Sequence, residues 1–161
     1  MIGNLVFFKK TNSLISKMIA KVTKSEFTHV AIIVGYDKMT GVATIIESDR
    51  FSKTKLARIQ LSDEHVVYTT GYQPKEVTDK IIRYAHQQLG MGYDYLQLIG
   101  IFLSLVFKRK RDAYFNSANK MICSELIDLA YYKAGIKRNN YDNIGNVTPQ
   151  ELFEVYDLHQ V

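Results

Sequence analysis

The 161-residue chain has one cysteine, two prolines, no tryptophan and no apolar run long enough to span a bilayer. A single Cys excludes an internal disulfide framework and any zinc ribbon built on cysteine pairs. The longest apolar stretch, Leu96 to Phe107, is broken by Gln97 and Ser104, whereas a spanning helix needs about 20 residues. No phosphate-binding loop is present, because Gly90-Met91-Gly92 is too short and lacks a following Lys-Ser/Thr. The four histidines share no ligand-like spacing and none neighbours Cys123, so no dedicated metal site is expected. What is there is ordinary: 47% hydrophobic, 23% charged and nine Gly, a globular composition that excludes disordered and collagen-like chains. A chain of this length is read as a single domain, 1–161, able to bury about 70% of its unfolded surface.

The formal charge is +5, and Lys108, Arg109, Lys110 and Arg111 carry four of those charges. Outside that block Lys plus Arg nearly balance Asp plus Glu, so no nucleic-acid partner is expected. The block directly follows the Leu96–Phe107 stretch. Two readings fit the stretch: an apolar segment buried under the core, or a patch that meets an anionic membrane surface through the block. Met1 to Lys10 lacks a basic n-region, and Leu5–Phe8 is too short for a signal h-region. That predicts a cytoplasmic location, with a membrane-peripheral or lysis-released one as the alternatives.

Periodicity predicts strands at Leu5–Phe8, Phe27–Val34, Val42–Glu47, Lys55–Leu61 and His65–Thr70. Phe27–Val34 is apolar on both faces, as a central strand must be. Helices are predicted over Ser13–Val22, from Pro74 to Leu89 and from Met121 to Ala134, the last capped by Gly135. A short final helix opens at Thr148-Pro149, with Thr148 as N-cap and Pro149 at the first helical position. Strands and helices are largely segregated, which gives an α+β fold with an antiparallel sheet.

Cys123 shares a helix face with Leu126, Ile127, Ala130, Tyr131 and Ala134, so it points to the core. A packed small hydrophobe fits that position. A catalytic thiol fits it as well, because unpaired N–H groups in a helix's first turn favour a thiolate. His29 lies on the central strand. If Val34 pairs with Val42, His29 stands opposite Glu47; a two-residue shift would bring Asp49 there instead, and a one-residue slip Ser48. Glu47 or Asp49 is thus the candidate to orient the imidazole. Glu125 and Asp128 sit off the Cys123 face and are expected to complement the positive end of the helix.

Five pieces in order carry a resemblance: Thr28-His29-Val30-Ala31-Ile32, Ile46-Glu47, Gly90-Met91-Gly92-Tyr93-Asp94-Tyr95, Ile122-Cys123-Ser124-Glu125-Leu126 and Thr148-Pro149-Gln150-Glu151-Leu152. Together they resemble the permuted NlpC-type family of papain-fold cysteine hydrolases, near its YiiX-like members, from about Leu5 to Phe153. The resemblance implies a circularly permuted papain-like fold with Cys123 as nucleophile, His29 as general base and then acid, and Glu47 orienting His29. It also implies a pocket aromatic at Tyr93, no cofactor, and an amide or ester substrate such as a cell-wall peptide. The chain departs from the Asp-Cys-Ser-Gly of unpermuted peptidoglycan peptidases and from the Asn-Cys-Glu-His of related lipid acyltransferases. A lipid-directed acyl hydrolase or transferase, and a catalytically silent binding domain, are the competing expectations.

Overall fold

The computed structural model describes residues 1–9, 25–49, 52–92 and 121–161. The predicted helix at Ser13–Val22, Tyr93, the Leu96–Phe107 stretch and the Lys108–Arg111 block lie outside the described residues. In chain order the elements are β1 (Leu5–Lys9), β2 (Phe27–Asp37), β3 (Val42–Ser48), β4 (Thr54–Gln60), β5 (His65–Thr69), α1 (Lys75–Gln87), α2 (Cys123–Ala134), α3 (Glu151–Val155) and β6 (His159–Gln160). The strands form one antiparallel sheet in the order β4-β3-β2-β1-β5-β6. The fold is α+β, as the segregation of elements predicts. β6 was not anticipated, since a two-residue strand is too short to show alternation.

The run of β-branched residues in β2 is buried on both faces because the sheet carries a core on each side. On one face Leu5, Phe7, Val30, Ile32 and Ile46 pack with Ile81 and Ala85 of α1 and with Leu126, Ile127 and Ala130 of α2. On the other, Val6, Ala31, Ile33, Ala43, Ile45 and Val67 form a second cluster. α1 ends at Gln87 and leaves Leu89 exposed, so the four-residue apolar repeat outruns the helix by one member. α2 stops at Gly135, whose φ of 88° is the left-handed conformation that spares a side-chain clash. Its N–H and that of Ile136 satisfy the carbonyls of Tyr132 and Tyr131.

α2 is buried on more than its predicted face. Glu125 and Asp128, expected as exposed partners of the helix dipole, are almost fully buried. The reason is that the chain after α2 folds back over that side. Asp128 accepts hydrogen bonds from Arg138 and the Gly145 N–H, and the Ser124 hydroxyl donates to the Val147 carbonyl. Thr148 and Glu151 then bond each other across the turn that leads into α3: the Glu151 N–H donates to Thr148 Oγ1 at 3.2 Å and the Thr148 N–H to Glu151 Oε2 at 2.8 Å. Because the regular helix begins only at Glu151, Gln150 rather than Thr148 is its N-cap, and Pro149 falls in the turn before it rather than at its first position.

Candidate active site

Cys123 is the first residue of α2, after an N-cap, Ile122, in extended conformation. Three sequence-distant segments converge to set it there. The Met121 N–H donates to the Gly92 carbonyl at 2.8 Å, and the buried Ser48 hydroxyl donates to the Met121 carbonyl. Glu125 Oε2 accepts the Ile122 N–H at 3.3 Å, closing one of the open donors at the helix start. The Gly90–Gly92 turn is itself tied to β4, with Thr54 bonding both Gly90 and Met91.

The sulfur reaches a gap in the sheet. β2 and β3 are paired only up to Ile32 and Ile46. Ile33 bonds toward β1 through the Asn4 carbonyl, so by alternation Val30 directs its N–H toward the side of β3. With no β3 partner at that level, the Val30 N–H bonds the Cys123 sulfur, and the Ser124 N–H does the same from the helix.

His29 comes from the other side of the gap. Its Nε2 lies 2.7 Å from Glu47 Oε2, and its ring also hydrogen-bonds the Cys123 thiol. The Phe8 ring packs against the imidazole with centroids 5.0 Å apart. Burial pushes the Cys123 thiol up, but the hydrogen bond and charge of His29, with the two backbone N–H groups, outweigh it and hold the thiol below its ordinary value. Burial would likewise push His29 down; its bonds to Cys123 and Glu47 and their charges prevail and raise it to about 9. The two shifts favour a thiolate facing an imidazolium, a nucleophile with a proton donor at its side.

The structure therefore brings Cys123, His29 and Glu47 together, though not by the anticipated register. The ladder pairs Asp37 with Val42 and Ile32 with Ile46, with an irregularity between Ile33 and Gly35. Near His29 it is shifted by two residues from the Val34–Val42 alignment. Continued past its last pair, it would set Glu47 against Ala31 and Asp49 against His29. A two-residue shift keeps each side chain on its face, and a long carboxylate spans the diagonal, so Glu47 still reaches the ring. Asp49 instead takes Lys55, with Nζ 2.5 Å from Oδ2. Among the other histidines, His65 bonds Ser62 on the far side of Phe8, His86 is exposed on α1, and His159 is exposed in β6. Sequence reasoning missed Ser48 and Lys55. The second could have been found from the β3–β4 ladder, which pairs Glu47 with Lys55.

A thiol at a helix start, held against an imidazole and a carboxylate on an antiparallel sheet, is the arrangement of papain-like cysteine hydrolases. The chain matches the family described as permuted papain-like amidase enzyme, YaeF/YiiX, C92 family, over residues 2–154, and it belongs to that family. Similar solved structures include one described as the crystal structure of metalloprotein yiiX from Escherichia coli O157:H7. It has 20% identity and a TM-score of 0.68, with 100% of this chain and 96% of that one covered. That likeness shows the fold. No curated protein sequence matches this one. Although the neighbour is described as a metalloprotein, no group of three or more His, Cys, Asp or Glu among the described residues here is arranged to hold a metal ion.

Proposed function

We propose that the protein hydrolyses an amide or ester through an acyl–enzyme on Cys123. The observation that carries this reading is the 2.7 Å bond from His29 Nε2 to Glu47, which fixes the ring that hydrogen-bonds the thiol; we assign its other nitrogen, Nδ1, to the proton exchanged with sulfur and substrate. In the first half-reaction the thiolate attacks the carbonyl carbon, and the first-turn N–H groups of α2 face the developing oxyanion. Collapse breaks the bond to the leaving group, which takes the proton from His29 Nδ1. Neutral His29 then accepts a proton from water as the hydroxyl attacks the thioester. Release of the carboxylic acid restores the thiolate and imidazolium. Glu47 orients the ring throughout, the role of the third member of a triad.

Membership of an amidase family supports an amide as the bond cleaved, and a cell-wall peptide is the substrate class we put forward. The test is acid quenching after brief exposure to an activated acyl ester, followed by intact mass measurement. The wild type is expected to gain one acyl group, and Cys123→Ala and His29→Ala to gain none at neutral pH. Acylation that ignores His29, or no acylation at all, would overturn the hydrolase and leave a silent binding domain. The same protein incubated with cell-wall muropeptides is expected to release a shortened peptide.

A further inference from the structure

Lys55 stands on β4 directly across from Glu47. Its ammonium is shared unequally between two carboxylates, 2.5 Å from Asp49 Oδ2 and 3.9 Å from Glu47 Oε1. Glu47 therefore presents one oxygen to His29 and the other to a cation that leans away from it toward Asp49. Among the described residues, the groups facing this carboxylate and the ring are few. Cys123 comes from α2, Lys55 from β4 and Asp49 from the turn after β3. β1 supplies only Phe8, which lies between His29 and His65 in the register of the sheet. We propose that Lys55 and Asp49 are a pair of positioning residues that sets how much negative charge Glu47 presents to His29. The proposal rests on the Cys123–His29–Glu47 reading and deepens it, adding a control on the pH range over which the ion pair persists.

Charge balance around Glu47 sets the direction of each effect. With Asp49 in place, the ammonium is held mainly by that residue, and Glu47 keeps most of its charge for the imidazolium. Without Lys55, no ammonium draws on Glu47 and the imidazolium is favoured further. Without the Asp49 charge, the ammonium settles onto Glu47 and neutralises it, and the imidazolium loses support. The Asp49 bond and the charges of Asp49 and Glu47 hold Lys55 above its ordinary value despite slight burial, so it is a cation throughout the relevant range. Because Lys55 is 39% exposed, solvent screening limits its effect to a fraction of a pH unit or about one unit.

The two substitutions must therefore act in opposite directions, which a loosened structure cannot mimic. The experiment is the rate of Cys123 alkylation by iodoacetate, an anion drawn to the imidazolium and slowed when that charge is lost, across pH, in the wild type, Lys55→Met, Lys55→Arg and Asp49→Asn. Lys55→Met is expected to move the basic limb upward by about half a pH unit. Asp49→Asn should move it downward by a similar amount, and Lys55→Arg should leave it in place. Shifts in the same direction, or none, overturn the proposal while leaving the triad intact. A wild-type profile showing only an ordinary thiol overturns the triad itself, and the brace falls with it, having no ion pair to adjust.

Discussion

Asp128 lies one turn and a half beyond Cys123 along α2, and its replacement by Ala removes the anion from a closed cluster. Its carboxylate accepts Arg138 Nε at 2.8 Å, Arg138 Nη2 at 3.0 Å, the Gly145 N–H at 2.7 Å and the Tyr156 hydroxyl at 2.7 Å. Both charged side chains are fully shielded from solvent. Arg138 Nη2 also donates to Asn143 Oδ1, but Nη1 has no hydrogen-bond partner among the described residues. Asp128→Ala thus strands a buried guanidinium that has no alternative anion among its bonded neighbours. Removing one member of such a pair costs about 3–5 kcal/mol, a large share of the ~5–15 kcal/mol by which domains are stable. With a urea slope of about 2 kcal/mol/M, the unfolding midpoint is expected to fall by about 2 M. Arg138→Met should cost less, since Asp128 keeps the Gly145 and Tyr156 donors. The double variant Asp128→Leu with Arg138→Met should recover much of the loss, because no unpaired charge remains. A midpoint shift below about 0.5 M for Asp128→Ala, or strict additivity in the double variant, would refute the claim that the pair acts as a buried unit.

Two further outcomes follow from the site. The raised His29 value of about 9 means that the imidazolium's contribution is complete below the ordinary value of 6.5 and lost as pH rises through about 9. Alkylation of Cys123 by iodoacetate, whose anion the imidazolium attracts, should accordingly rise through the lowered thiol range and decline near pH 9 as that charge is lost. In Glu47→Gln, which keeps the shape and drops the charge, that decline should move down by about one unit; an unmoved basic limb would mean that Glu47 does not support the ring. Ser48→Ala leaves the buried Met121 carbonyl without its hydroxyl donor. It should cost about 1–3 kcal/mol in urea unfolding and slow acylation of Cys123, and a variant as stable as the wild type would show that the tie is not needed.

How far the site was legible from sequence depended on which distances the chain's periodicity controls. The face of α2 that carries Cys123, Leu126 and Ile127 follows from a spacing of three and four, and the structure buries those residues as that spacing requires. The two-sided burial of β2 follows from its unbroken apolar run. The hairpin register does not follow from either pattern, because every two-residue shift preserves the faces and only the turn and the irregularity after Ile33 decide between them. Glu47 survived that error since parity, not register, determines which carboxylates share the face of His29. The burial of Glu125 and Asp128 was illegible for a different reason. It depends on a return of the chain at Arg138 and Gly145 that has no periodic signature, and on a pairing ten residues apart along the sequence. Lys55 lies between these cases: hidden while each strand is read alone, it becomes visible once β3 and β4 are aligned and Glu47 is found to face a cation. A triad can be proposed from one residue on each of three elements. The groups that tune it sit on neighbouring strands, and finding them requires the register.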